Sequence, residues 1–317
     1  MENVKMILKE HYDINITDVL PQKGGWASLA YKVSNENQGY FLKVYEKSRA
    51  STPKLTVLVD QYVPILVWLM QNSFLKGKIS VPFLTNSGDY KCEDEYGVYL
   101  LYEYIEGRTI GDQDLTETQV RQLSKIITEL HSHGEDIPVE TDAIKEDFDI
   151  PFLQILLHTL HKKKNDLPSD IWELIHPYIP LLYDLIQTVQ ELSHNLKKCD
   201  LRMALCHTDL HYWNLMQSGQ QLILIDWEGL KLAPPEADLI FLVNKPYFDE
   251  FLSIYQKTDQ NFSINPEAMT FYRGKRRLED IWEFLEQLLY DKQEEQERIV
   301  IMNYLREELH VLSENLY

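Results

Sequence analysis

The chain has 317 residues, 44% of them hydrophobic and 26% charged, with 31 basic against 50 acidic side chains and a formal net charge of −19. These proportions belong to a globular protein long enough for two lobes, and the acidic excess argues against nucleic acid and for a cationic small-molecule partner. No apolar run approaches membrane-spanning length, the start Met1-Glu2-Asn3-Val4-Lys5 lacks a signal-peptide pattern, and Cys92, Cys199 and Cys206 show neither paired nor metal-type spacing, so a cytoplasmic protein with no membrane partner is expected.

In chain order, a short helix is expected over 4–10, then strands over 16–21, 29–33 and 40–45. The turn before the second strand, Gln22-Lys23-Gly24-Gly25-Trp26-Ala27-Ser28, is built of small residues. Backbone N–H groups at Gly24, Gly25 and Ser28 would lie over phosphates there, although Gly-Gly by itself is ordinary turn chemistry. The third strand, Tyr40-Phe41-Leu42-Lys43-Val44-Tyr45, holds a lone lysine in an apolar frame. Lys43 is the candidate for the α and β phosphates of a nucleotide, against the plain alternative of an edge-strand lysine facing water.

A helix over 55–71, interrupted near Pro64, and strands over 79–84 and 98–104 complete a small lobe. Glu103, Tyr104 and Ile105 begin a hinge that runs to Gly107, where free backbone groups would pair with an adenine edge. Helical signals dominate from there on. Thr116-Glu117-Thr118-Gln119 forms a capping box before Val120, Leu123, Ile126, Ile127 and Leu130. Further helices are expected over 152–164, 171–196 with breaks or kinks at Pro177 and Pro180, 247–255, 267–290 and 294–312.

The chemistry is concentrated in His207-Thr208-Asp209-Leu210-His211-Tyr212-Trp213-Asn214 and in the apolar run Leu222 to Ile225 that ends in Asp226-Trp227-Glu228. Phosphoryl transfer asks a protein to position an acceptor hydroxyl, hold magnesium and align the reacting atoms. Asp209 would accept the hydroxyl proton, while Asn214 lends an amide oxygen to one magnesium and Asp226 binds the metal from the strand end. His207 would support the loop by bonding to backbone near Asp226. An isolated loop Asp or Asn is usually a turn-former, but the set in this order is not explained that way. A transition-metal site of His207, Asp209 and His211 would explain neither Asn214 nor Asp226.

These residues, with the Lys43 strand and Leu101-Tyr102-Glu103-Tyr104-Ile105-Glu106-Gly107, resemble the aminoglycoside phosphotransferase family over nearly the whole chain. Within it, the spectinomycin phosphotransferase group is the most similar, on the Gly24-Gly25 turn, Leu205-Cys206-His207, Leu232-Ala233-Pro234 leading to Asp238, and Tyr272-Arg273 leading to Leu278-Glu279-Asp280-Ile281. The resemblance implies an α+β, two-lobed protein-kinase-like fold: a small mixed-sheet N-lobe over 1–102, a hinge over 103–107 and a mainly helical C-lobe over 108–317. It also implies ATP, or GTP, with magnesium. The family pairs its strand lysine with a helix glutamate, yet the stretch from Leu55 to Gln71 contains none, which leaves Asp60 as the candidate partner of Lys43.

For the acceptor, Glu228, Glu279 and Asp280 are candidates to bind amines, with Glu236 and Asp238 nearby in sequence. Asp238 has a second reading, as a tether for the catalytic loop. Trp213, Trp227, Tyr272 and Trp282 would stack on a sugar-like ring if they are not core. The expected activity is phosphorylation of a hydroxyl on a cationic aminocyclitol or aminoglycoside antibiotic such as spectinomycin. The alternatives are a kinase of a metabolite such as an amino alcohol, and a non-catalytic protein of the same fold.

Overall fold

A computed structural model describes residues 2–22, 27–260 and 262–314. Its chain falls into two compact units, Met1–Lys145 with Met203–Phe262, and Glu146–Arg202 with Ser263–Tyr317.

The first unit opens with helix α1 (Glu2–Tyr12), followed by strands β1 (Asp18–Gln22), β2 (Leu29–Ser34) and β3 (Gly39–Glu46). Helices α2 (Thr52–Thr56) and α3 (Val59–Asn72) precede β4 (Cys92–Glu93) and β5 (Gly97–Glu103). These five strands make one antiparallel sheet in the order β1-β2-β3-β5-β4. Period-two alternation splits β3 cleanly. Tyr40, Leu42 and Val44 join Val4, Ile7 and Leu8 of α1 in one apolar cluster, whereas Phe41, Lys43 and Tyr45 point to the other face with Tyr102 and Leu100 of β5. Pro21 is tolerated because β1 is the sheet edge.

Two expectations change here. The helix over 55–71 is two helices, and the break falls at Val57-Leu58; Pro64 lies inside α3. Residues 79–84 make only single bridges, Ile79 with Leu224 and Pro82 with Tyr102, and no strand forms. Pro82 has no N–H to extend a ladder.

The unit continues with β6 (Arg108–Thr109) and α4 (Glu117–Leu130), whose capping box is closed by Thr116 and Gln119. The chain then leaves for the second unit, which holds α5 (Phe152–Leu160), α6 (Ser169–Ile175) and α7 (Ile179–Leu196). A 3-10 turn at His176–Tyr178 separates the last two, as the two prolines demand. On return to the first unit come β7 (Ala204–Cys206), β8 (Leu215–Ser218), β9 (Gln221–Leu224), β10 (Lys231–Ala233), α8 (Glu236–Leu239) and α9 (Phe248–Thr258). β6, β8 and β9 form one small sheet, and β7 pairs with β10 in another.

Helices α10 (Pro266–Tyr290) and α11 (Glu295–Glu314) complete the second unit. Gly274 lets α10 lie against α7, since a Cβ there would come within 2.5 Å of Val189 Cγ2. Among the described residues no helix is long and apolar enough to cross a membrane.

Candidate functional site

Asp209 and Asn214 flank a short loop between β7 and β8. The Asn214 amide donates to both the backbone oxygen of Asp209 (2.9 Å) and its carboxylate Oδ2 (2.8 Å), and His211 Nε2 lies 3.1 Å from the same Oδ2. Asn214 is buried, and its donor group is spent on Asp209, so its amide oxygen is the ligating atom left over.

The loop is held in a conformation its residues do not favour. Thr208 has φ +65°, costly for a β-branched residue, and Asp226 has φ +66°. Asp238 supplies the restraint. Fully buried on α8, its carboxylate accepts from His207 N at 3.0 Å and Thr208 N at 2.6 Å, and it meets His131 Nε2 at 2.9 Å. The other imidazole nitrogen of His131 is 3.0 Å from the Tyr255 hydroxyl. Thr208 Oγ1 donates to the Gly229 oxygen at 2.7 Å, and a Cβ at Gly229 would sit 2.5 Å from that Oγ1. Only glycine permits this approach.

His207 is wholly buried, and burial holds its imidazole below the usual pKa against the nearby Asp238 carboxylate. The neutral ring donates from Nε2 to the Ile225 oxygen at 2.9 Å and accepts from Asp209 N at 3.3 Å. Both nitrogens are thereby used, which removes His207 from any transition-metal site with Asp209 and His211. His131, Cys206 and Asp238 do cluster closely enough to share an ion. The Asp238 oxygens already carry three contacts there, so the cluster is explained as a brace for the loop.

Lys43 faces this loop from β3. Its ammonium donates to Asp226 Oδ1 at 2.8 Å and to Glu228, and the Tyr45 hydroxyl also donates to Glu228. Burial alone would push the Lys43 pKa down; the Asp226 and Glu228 carboxylates outweigh it and hold the group protonated, above its ordinary value. Glu228, expected to bind an amine of the acceptor, is engaged within the protein in this structure. The Glu228 side chain is only 11% exposed and is engaged by Lys43 and Tyr45, which places it with Asp226 around a cation. Asp226, Glu228 and the Asn214 amide oxygen are hard oxygen donors of the kind magnesium prefers, and the ammonium already bound by the two carboxylates shows that a cation suits the position.

In this structure, which holds no nucleotide, Asp60 does not meet Lys43. It ion-pairs with Lys91 at 3.1 Å and is half exposed. Ser28 is buried before β2, whereas Gly24 and Gly25 lie outside the described residues. Glu103 ends β5 opposite Tyr40, and Tyr104 to Glu106 leave the sheet without regular structure. Lys32 Nζ lies 3.8 Å above the Tyr104 ring.

The remaining acceptor candidates separate by burial. Glu236 and Asp238 are buried, as are Trp227, Tyr272 and Trp282, so none of these five offers a surface to a ligand. Trp227 packs edge-on against His207. Trp213 alone of the four aromatics is open, at 55% exposure, with its ring over Gly111. Glu279 and Asp280 belong to the second unit, where Asp280 pairs with Arg276 at 2.9 Å and Glu279 lies 4.0 Å from Lys275. Burial raises the Asp280 pKa to about 6 despite the neighbouring Arg276 guanidinium.

The brace on the loop can be tested directly. Asp238→Ala strands two backbone N–H groups and an imidazole in the interior, which costs on the order of 3 kcal/mol or more. A fall in the unfolding midpoint accompanied by loss of any activity of the Asp209 loop is the expected result; an unchanged melting curve would show that the loop holds itself.

The family model described as the phosphotransferase enzyme family, APH, matches residues 18–298. Among solved structures, spectinomycin phosphotransferase APH(9)-Ia in complex with ADP and spectinomycin superposes with a TM-score of 0.73 at 21% identity, over 98% of this chain and 97% of that one. Choline kinase LicA from Streptococcus pneumoniae gives 0.61 at 19% identity, over 99% of both chains. A microcompartment-associated aminopropanol kinase gives 0.64 at 12% identity, over 99% of this chain and 97% of that one. An α+β, kinase-like architecture over the full length, together with a family match across most of the sequence, makes this chain a member of the phosphotransferase enzyme family.

Proposed function

We propose that the protein transfers the γ-phosphoryl group of ATP to a hydroxyl of a cationic small molecule. The carrying observation is that Asp209 and Asn214 bond to each other on one loop while Asp226 and Glu228 converge on Lys43 in the same compact unit. Asp209 takes the proton of the attacking hydroxyl. The hydroxyl oxygen forms a bond to the γ phosphorus as the bond to the bridging oxygen breaks, and ADP leaves. Lys43 turns from its carboxylates to the nucleotide phosphates. Magnesium, when bound, neutralises phosphate charge, and Asp226, Asn214 and Glu228 are the residues to hold it. Glu103, Tyr104 and Ile105 seat the nucleotide base, and the hinge over 103–107 joins the lobes 1–102 and 108–317. GTP is the alternative phosphoryl donor, so both nucleotides belong in the assay.

Spectinomycin is the first acceptor to try. The −19 charge favours a cation, and the similar structure that holds spectinomycin spans nearly the same length. Trp213 offers an open aromatic face next to Asn214, suited to a ring or an ammonium. Glu279 and Asp280 remain acceptor candidates in the second unit. Similarity to a choline kinase and an aminopropanol kinase supports a second reading, an amino alcohol as acceptor.

The test incubates the protein with magnesium and ATP against spectinomycin, aminoglycosides, choline and aminopropanol, and looks for the mass gain of one phosphoryl group. Gain on spectinomycin supports antibiotic resistance in the cytoplasm as the role; gain only on an amino alcohol moves the protein to metabolism. Nucleotide binding without transfer to any acceptor would favour a non-catalytic protein.

A further inference from the structure

Lys43 lacks the partner its strand position calls for. In this structure it is held by Asp226 and Glu228, the two carboxylates assigned above to the metal, and α3 brings no acidic side chain to it. Asp60 faces outward to Lys91. Residues two apart on a helix point to nearly opposite sides. Tyr62 therefore faces inward, and it is 1% exposed, one of the largest fully buried side chains of the chain. Among the described residues its hydroxyl has no partner in good hydrogen-bond geometry, although the Tyr102 hydroxyl interacts with it. A phenol in the interior without a well-formed hydrogen bond is costly and calls for an explanation.

We infer that Tyr62 is the positioning residue for Lys43 in the nucleotide-bound protein: its phenol oxygen accepts a hydrogen bond from the ammonium once Asp226 and Glu228 turn to metal. The inference rests on the phosphotransferase reading of the site.

The surroundings of the hydroxyl fit this role. Lys43 and Tyr102 share the inward face of the sheet, and the groups whose charge reaches the Tyr62 phenol are Tyr102, Lys43, Asp226 and Asp60. Burial, reinforced by Tyr102, holds the phenol well above its usual pKa, so it stays neutral. A neutral acceptor has an advantage here. A helix carboxylate beside Lys43 would cancel its charge and repel the incoming phosphates, and a phenol orients the ammonium without doing either. The ammonium has three donors, enough for the phenol and two phosphate oxygens.

Tyr62→Phe removes only the oxygen. Because that oxygen makes no well-formed hydrogen bond among the described residues, only its contact with the Tyr102 hydroxyl, the unfolding midpoint should change little, whereas a hydroxyl held for structure would lower it clearly. Calorimetric titration with magnesium–ATP should show affinity weakened by about tenfold, the loss of a hydrogen bond to a charged group. The same substitution in a Lys43→Met background should cost little further, since the donor is already gone. Wild-type affinity in Tyr62→Phe, or an equal loss in both backgrounds, overturns the inference and leaves the phosphotransferase reading standing. Absence of magnesium–ATP binding to the wild-type protein would instead remove that reading, and this inference with it.

Discussion

Asp209→Asn is expected to lower turnover by roughly 10²–10⁴ while leaving nucleotide affinity close to wild type, the span associated with a positioned general base. The substitution is nearly isosteric. An asparagine keeps one side-chain oxygen for the Asn214 amide, and the backbone oxygen of residue 209 still accepts its second bond, so the loop keeps its shape. What is lost is the ability to take a proton. The His211 imidazole lies 3.1 Å from the Asp209 carboxylate and is directed at that same oxygen. Turnover measured at saturating acceptor and magnesium decides the matter, and wild-type rates in the variant would remove Asp209 from the chemistry.

Asp226→Ala should abolish magnesium-dependent transfer, whereas Asn214→Ala should weaken it and raise the magnesium requirement. A full negative charge binds a divalent ion more strongly than an amide dipole does. The variant has a second defect. With Asp226 gone, Lys43 keeps only Glu228, so the two remaining charges pair more completely and the ammonium is less available to phosphates. Asn214→Ala loses a ligand and also frees the Asp209 carboxylate from its donor. Calorimetry of magnesium–nucleotide binding ranks the two variants, and unaltered binding in both would show that the metal is held elsewhere.

The parts legible in the sequence were the local ones. Thr116 and Gln119 close a capping box because both partners lie within one turn, and the alternation of β3 separates Lys43 from Leu42 and Val44 without knowledge of the sheet. The spacing of His207, Asp209, Asn214 and Asp226 was legible because a short loop and the adjoining hairpin can bring only near neighbours together. Tyr45 was within reach of the same reasoning: two residues after Lys43 on a strand, it had to share its face. The brace was harder. Asp238 suggests a tether on paper, but its partner His131 lies 107 residues away and ends a different helix, a pairing that only the folded topology creates. The search for a lysine partner looked for a carboxylate on the next helix, and the interactions formed instead come from residues 183 and 185 positions downstream. The strand expected over 79–84 failed because apolar, β-branched residues suit a bridge as well as a ladder, and Pro82 settles for the bridge.

The carboxylates on either side of Lys43 also bear on which form of nucleotide is admitted. With the ammonium between them, Asp226 and Glu228 carry two negative charges against one positive, a net anionic pocket. ATP without a counter-ion meets repulsion from it and can gain the ammonium only by leaving both acids unmatched. A nucleotide that arrives already complexed would exchange one cation for another, so that the two acids are not left without a cation as the ammonium turns to the phosphates. On the proposed reading the pocket would then act as a filter on ionic form, disfavouring the chelator and favouring the chelate, so that free nucleotide would compete poorly for the same seat.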